Sequence, residues 1–288
     1  MRFYRETLGI SDNAFIILRD LIHELTGIFF DDSKKDSLAD KLSARVIELG
    51  FSSFLDYYYY LKYDEGSTRE IRNLFNLITV NETYFYRETD ALHTIADVLL
   101  PSILERKNGN PVKIWSAACS SGEEPLTLAM MLAEKGLLSD SKVQLFATDA
   151  STLAVGKAMV GEFSERSFRN CDAHFREKYF DPKDDKTMKI KQSILEFVRF
   201  SVANLNSPAE IKHFAAADII LCRNVFIYFS KKSILQTVNT FYGAMPEQAY
   251  LLLGVSESLL KFNVPFEFRE INGSFVYVKE NLLSKWIK

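Results

Sequence analysis

The segment Trp115-Ser116-Ala117-Ala118-Cys119-Ser120-Ser121-Gly122-Glu123-Glu124-Pro125 separates a short apolar run, Val112–Trp115, from a helical pattern, Pro125–Ala133. Small residues at such a strand-to-helix turn let the backbone come close to a ligand, and the helix start offers unpaired N–H groups. The spacing is not GxGxxG, and the chain holds no P-loop, so dinucleotide and nucleoside triphosphate binding lose ground. Glu123 and Glu124 would repel pyrophosphate yet tolerate a cationic ligand. The structural alternative is that two acids in a first turn simply favour the helix dipole. A second apolar run, Val143–Thr148, ends in Asp149, 27 residues after Gly122. An acid there suits the paired hydroxyls of a ribose, or it caps the helix that follows Ser151-Thr152. Loop and acid together favour an adenosine-containing ligand without phosphates.

Two more segments carry polar groups where apolar runs end: Val202-Ala203-Asn204-Leu205, and Ile219–Cys222 followed by Arg223-Asn224-Val225-Phe226-Ile227-Tyr228-Phe229. Aromatic stripes are more often core than site, but Arg and Asn at the end of an apolar strand are harder to explain as packing. These segments must be held by alternating strands and helices. Val112–Trp115, Val143–Ala147, Ile219–Cys222 and Tyr250–Leu253 read as strands, with helices at Pro125–Ala133, Leu153–Met159 and Lys231–Phe241. That alternation predicts an α/β fold with a parallel sheet covered on both faces, and ligands at the carboxyl ends of its strands. The Asn272-Gly273 turn before Ser274–Val278 adds an antiparallel edge. Between about 160 and 200 the alternation fails, and a small β insertion is expected there, with strands flanking the turn Asp181–Lys186 and a β-rich stretch Ile194–Phe200. Residues 11 to about 80 read as helices, starting at the cap Ser11 and continuing over Leu38–Leu49, Phe54–Leu61 and Ile71–Ile78. The run Tyr57–Tyr60 would divide between core and surface.

The chain has 288 residues, 47% hydrophobic and 25% charged, with 35 Lys+Arg against 38 Asp+Glu. This is a globular composition with room for two cores. Residues 1–80 hold 10 basic and 13 acidic side chains and the remainder 25 of each, so neither part is a basic platform for nucleic acid. Cys119, Cys171 and Cys222 are too far apart in sequence for metal-type spacing and read as free thiols. No apolar run approaches a membrane span, and a cytoplasmic location is expected.

Four motifs in order, Asn81-Glu82-Thr83-Tyr84-Phe85-Tyr86-Arg87-Glu88, Trp115–Pro125, Ala147-Thr148-Asp149 and Cys222–Phe229, resemble the CheR family of chemotaxis methyltransferases, with similarity from about residue 11 to 279. The resemblance implies a small all-α domain (1–80), then a Rossmann-like S-adenosylmethionine methyltransferase domain (81–288) with a mixed sheet and an inserted β-subdomain. It implies methyl transfer from S-adenosylmethionine to glutamate side chains of the cytoplasmic domain of methyl-accepting chemoreceptors, giving glutamyl methyl esters and S-adenosylhomocysteine. A monomer that neither enters the membrane nor binds nucleic acid is expected. By motif, Asn81, Thr83, Arg87, Glu124, Asp149, Asn204, Leu205, Arg223 and Asn224 would line the cofactor site. Arg87 and Tyr228 would lie nearest the transferred methyl.

The chemistry needs no histidine, because a glutamate with a free pKa of about 4.3 is already ionised at neutral pH. His23, His93, His174 and His213 lie outside all four motifs and read as structural or surface residues. Arg87 would hold a carboxylate of cofactor or substrate, unless it merely pairs with Glu82 or Glu88 on the surface. Two features depart from the family. Lys34, Lys35, Lys41 and Arg45 are offset by Asp31, Asp32, Asp36 and Asp40 on a helix that is often strongly basic, and Gly254-Val255-Ser256-Glu257 replaces a Gly-His-Ser-Glu motif. A cofactor-sensing or scaffold protein without turnover is the alternative reading.

Overall fold

The computed structural model describes residues 8–280. Helix α1 (Asp12–Thr26) begins where the Ser11 hydroxyl accepts the Ala14 N–H and ends at Gly27, whose φ of 79° favours glycine. It is followed by α2 (Lys35–Glu48), α3 (Phe54–Tyr63) and α4 (Ser67–Ile78). Their apolar faces meet around Leu18, Ile22, Leu42, Tyr57 and Leu74. Tyr57 is buried and Tyr59 exposed, the division that helical spacing requires. Inside this core Glu70 accepts from Arg45 at 2.5 Å and from the Tyr57 hydroxyl at 3.0 Å. Burial pushes this carboxyl up, but Arg45, Asn73 and Tyr57 outweigh it and hold the acid below its ordinary value. The stabilisation is complete above the ordinary carboxylate range and is lost as pH falls through the depressed value.

A helical stretch over Thr89–Lys107 was not marked by the sequence patterns. It contains a π-turn, Ile95–Leu99, just before Pro101. The proline has no N–H for the Asp97 carbonyl and its ring crowds it, which a locally widened turn relieves.

The strands are β1 (Val112–Ala117), β2 (Val143–Asp149), β3 (Glu162–Ser164), β4 (Phe180–Asp184), β5 (Thr187–Ile190), β6 (Val198–Val202), β7 (Ile219–Cys222), β8 (Ala249–Leu253), β9 (Glu267–Ile271) and β10 (Ser274–Lys279). Seven form one sheet in the order β6-β2-β1-β7-β8-β10-β9. Pairing is parallel from β6 to β8 and antiparallel at β10 and β9. Apolar clusters cover both faces, one around Leu126, Met130 and Ile114, the other around Trp115, Phe241 and Ile220. The fold is thus the expected Rossmann-like α/β architecture with a mixed sheet, an all-α unit before it and a β insertion. Strand order reverses beside β1, with β2 on one side and β7 on the other, which opens a crevice at their carboxyl ends.

Three details differ from the sequence reading. The true edge strand is β9, which pairs with β10 across Asn272-Gly273; its charged, exposed sequence Glu-Phe-Arg-Glu-Ile hid it. The three-stranded insertion sheet, ordered β3-β5-β4, includes Phe180–Asp184 as a strand, so the turn shrinks to Asp185-Lys186. Pro182 is tolerated because β4 is an edge strand with an irregular register there. Val198–Val202 belongs to the main sheet beside β2 rather than to the insertion.

Candidate functional site

A cavity of about 470 Å³ opens at the carboxyl ends of β1 and β7, with Thr26, Phe29, Lys41 and Ile78 of the helical unit as its roof. The structure brings all ten expected residues to its wall: Asn81, Thr83 and Arg87 from the segment after α4, Glu124 and Asp149 after β1 and β2, Asn204 and Leu205 after β6, and Arg223, Asn224 and Tyr228 after β7.

The loop after β1 is held in an uncommon conformation. Ala118 (φ 62°), Ser120 (φ 51°) and Gly122 (φ 93°) are left-handed, at roughly 1 kcal/mol or more for each non-glycine residue. A Cβ on Gly122 would meet the Ala158 Cβ at 2.9 Å. Asp149 holds this loop: one carboxylate oxygen accepts the Ser120 N–H and the other the Ser151 N–H, each at 2.8 Å. The helix that follows is capped by the Ser151 hydroxyl, which accepts the Ala154 N–H, so Asp149 is not its cap; it orders the two turns and lines the cavity. Burial pushes its carboxyl above the ordinary range, and these N–H groups only partly offset that. Of the adjacent glutamates only Glu124 faces the cavity. Glu123 turns away, buried, and accepts from the Ser121 and Ser167 hydroxyls.

Arg223 is the centre of the polar wall, its side chain 2% exposed. It donates to Glu124 at 2.8 Å, to Glu88 at 3.2 Å, and to the carbonyls of Arg87 and Glu88 at 2.9 and 3.0 Å. Glu124 also accepts from Ser116 at 2.7 Å. Two buried polar atoms on cavity-lining residues, Arg223 Nε and Ser120 Oγ, have no protein partner, the pattern expected where a ligand completes the bonding.

Sequence reasoning missed two carboxylates. Glu88 (φ 47°) accepts from Asn224 Nδ2 at 3.2 Å and from the Val255 N–H at 3.1 Å. Burial pushes its carboxyl up, but the Val255 N–H, Arg223 and Asn224 bring it below the ordinary value. Glu257 accepts the N–H groups of Asn224 (2.7 Å), Phe226 (2.7 Å) and Gly254 (2.9 Å), and so fixes Asn224 at φ 57°. The available signal was an acid three residues after a glycine that ends an apolar strand, where it can cap bare N–H groups. Gly254 is needed because a Cβ would stand 2.7 Å from Asn224 Nδ2 and 2.9 Å from Glu257 Oε2. Gly254→Ala is expected to cost about 1–3 kcal/mol by overpacking, read by urea unfolding; an unchanged midpoint would show that the clamp can give way.

Arg87 is about a quarter exposed, donates to the Glu82 carbonyl at 2.9 Å and lies 3.8 Å from the Glu88 carboxylate. The carboxylate of Glu82 is taken by Arg166 and Arg169. Tyr228 lines the cavity, and its backbone carbonyl accepts the Phe29 N–H at 2.9 Å. Asn204 reaches the wall with its polar atoms already used, Nδ2 on the Leu25 carbonyl at 2.7 Å and Oδ1 on the Asn206 N–H. It fastens the roof, as does His23, whose Nε2 lies 2.7 Å from the Ser230 hydroxyl. Asn76 does the same through Ser151 and Thr152. None of His23, His93, His174 and His213 lines the cavity. Among the described residues no helix is long and apolar enough to cross a membrane.

Residues 13–79 match the all-alpha domain of the CheR methyltransferases, and residues 81–275 match their SAM binding domain. Chemotaxis protein methyltransferase 2 of Vibrio cholerae is 35% identical over 271 residues, covering 94% of each chain. The chemotaxis protein methyltransferase of Borreliella burgdorferi is 31% identical, covering 88% of this chain and 90% of its own. That of Vibrio parahaemolyticus is 34% identical, covering 94% and 98%.

Proposed function

The chain belongs to the CheR methyltransferase family, and from this premise we propose that it esterifies glutamate side chains of chemoreceptor cytoplasmic domains. The coarser activity follows from the family itself: the chain is a methyltransferase of chemotaxis whose cofactor is S-adenosylmethionine. The wall suits that cofactor. The cavity lies in the usual range for small-molecule sites, roughly 300–1,000 Å³. Arg223 Nε and Ser120 Oγ await partners, and Glu124 and Asp149 offer acids for hydroxyl and ammonium groups. We assign Asn81, Thr83, Arg87, Glu124, Asp149, Asn204, Leu205, Arg223 and Asn224 to its binding, with Asn204 acting through the roof. We also read 1–80 and 81–288 as the two domains, the latter carrying the inserted sheet.

The observation that carries the glutamate reading is the polarity of the cavity. Its inner wall holds two acids, Glu124 and Asp149, against one base, the Arg223 that pairs with Glu124, whereas Lys34 is exposed and Arg87 about a quarter exposed on the outer side. Of the two acids on that outer side, Glu82 is paired with Arg166 and Arg169, and Asp31 caps the turn at Ser33. A cationic ligand is favoured inside and an anionic one at the entrance.

When bound, S-adenosylmethionine supplies an electrophilic methyl group. Arg87 receives a carboxylate, of cofactor or substrate, Tyr228 borders the methyl path, and the helical roof limits access of water. A carboxylate and a cationic donor become two neutral products, and no proton has to move. The rate is therefore expected to be flat from about pH 6 to 8.5 and to fall below about pH 5 as the target glutamate protonates. A limb near pH 6.5 in the initial rate would point to a histidine base and refute this scheme.

The deciding experiment incubates the protein with methyl-labelled S-adenosylmethionine and chemoreceptor cytoplasmic fragments, and scores base-labile methanol. Label in glutamyl esters is the expected result. Titration with S-adenosylhomocysteine should give micromolar binding, about −8 kcal/mol. Binding without label transfer would reject the enzyme in favour of a sensor.

A further inference from the structure

No residue from 151 to 202 lines the cavity, yet the inserted subdomain grips two segments that build its wall. The first is the Asn81–Glu88 motif, which supplies Asn81, Thr83 and Arg87. Residues 79–84 belong to no helix or strand and 85–88 form turns, with left-handed Tyr86 (φ 60°) and Glu88 (φ 47°), so regular backbone pairing does not fix this segment. Its Phe85 is fully buried, with its ring centroid 4.8, 5.3 and 5.0 Å from those of Phe163, Phe168 and Phe180 of the insertion. A three-stranded sheet needs an apolar face to bury, and Phe85 packs into the aromatic cluster that forms it. The Phe85 N–H donates to the Ser167 carbonyl at 2.9 Å. Arg169 pairs with Glu82 at 2.6 Å and stands 3.8 Å over the Tyr84 ring, which holds both sequence neighbours of Thr83.

The second segment is the loop after β1. Glu123 is 2% exposed, and each of its carboxylate oxygens accepts one hydroxyl: Ser121 of the loop at 2.8 Å and Ser167 of the insertion at 3.0 Å. Two hydroxyls are few donors for a buried carboxylate. Burial pushes this acid above its ordinary range, and the loss of either hydroxyl is therefore felt at the other. Ser167 thus joins both segments, its carbonyl on Phe85 and its hydroxyl on Glu123.

Resting on the assignment of Asn81, Thr83 and Arg87 to the cofactor, we infer that Ser167 and Arg169 of the insertion are positioning residues of the cofactor site. They touch no ligand. They act by fixing where the motif and the loop stand before the ligand arrives, so that its binding does not have to order them. Coupling between two parts of a molecule is reciprocal, so a filled cavity in turn steadies the inserted sheet.

The test compares the wild type, Ser167→Ala, Ser167→Thr and Arg169→Ala by calorimetric titration with S-adenosylhomocysteine and by urea unfolding without it. The expected result is a Kd raised about five- to tenfold in both alanine variants. Ser167→Thr keeps the hydroxyl and should return to within about twofold of the wild type. The urea midpoint of Arg169→Ala should stay near that of the wild type, because exposed ion pairs add little to stability. Amide hydrogen exchange of the wild type should slow in β3 and β5 when S-adenosylhomocysteine is added, and less so in Arg169→Ala. Wild-type affinity in both alanine variants overturns the inference, and a loss in Ser167→Thr equal to that in Ser167→Ala assigns the Ser167 effect to packing and removes that residue. If Ser167→Ala does not fold, Arg169→Ala decides alone. A folded wild type that binds no S-adenosylhomocysteine overturns the cofactor assignment and the positioning role together, whereas tight binding by wild type and alanine variants alike removes the positioning role only.

Discussion

Arg223→Ala is expected to abolish detectable S-adenosylhomocysteine binding and to lower stability at pH 7 by about 3 kcal/mol. The substitution leaves Glu124 and Glu88 facing each other across the space of a guanidinium that is 2% exposed. Glu124 keeps only the Ser116 hydroxyl, and Glu88 keeps Val255 and Asn224. In the wild type, the donors around Glu88 hold its carboxyl low against the pull of burial. Its contribution is therefore present above the ordinary carboxylate range and lost as pH falls through the depressed value. Without Arg223, burial dominates and the carboxyl rises, so mild acid neutralises it at little cost. The deficit should shrink between pH 7 and 5 in urea titrations of the two proteins. A deficit that is constant across that range would mean that lost packing, not exposed charge, is responsible.

Arg87→Ala is expected to reduce methyl transfer by one to two orders of magnitude, the loss of a charge-assisted hydrogen bond worth roughly 1.5–3 kcal/mol. Stability should change by less than about 1 kcal/mol, because the side chain is a quarter exposed and its Glu88 contact is 3.8 Å long. A parallel S-adenosylhomocysteine titration identifies the carboxylate involved. Weakened product binding assigns Arg87 to the cofactor, whereas unchanged binding with raised receptor KM assigns it to the substrate. Near-normal turnover would reduce Arg87 to the surface ion pair that the sequence offered as the alternative.

The strands that matter most for the site were readable because they are short runs of mostly buried apolar residues, unbroken in β7 and interrupted only by Lys113 in the Val112–Trp115 part of β1 and Gln144 in the Val143–Ala147 part of β2. Ile219–Cys222 matches its sequence pattern residue for residue, and β1, β2 and β8 extend theirs by one or two residues. Strand β9 failed the same test because one-sided exposure at a sheet edge removes the apolar run. The helix broken at Ile95–Leu99 failed because a π-turn shifts the periodicity on which helix recognition depends.

Residue types and their positions after strand ends singled out Glu124, Asp149, Asn204, Arg223, Asn224 and Tyr228, because a parallel strand must deliver whatever follows it to one edge of the sheet, whereas Asn81, Thr83 and Arg87, which follow helix α4, and Leu205 came from the family resemblance. Local sequence could also identify Ser11 as a helix cap and Asn272-Gly273 as a hairpin turn, since those depend on the dihedral preferences of a few adjacent residues. Orientation was decided by tertiary structure. Glu123 and Glu124 are neighbours with the same chemistry, yet one meets Ser167 of the insertion and the other Arg223, 99 residues away. Asn204 is turned to α1, and the Glu88–Arg223–Glu124 array and the Glu257 clamp join segments far apart in the chain. Spacing reports which face or end of an element a residue occupies. Where its charge points depends on which distant partner can satisfy it once water is excluded, and that partner is set only when the elements pack.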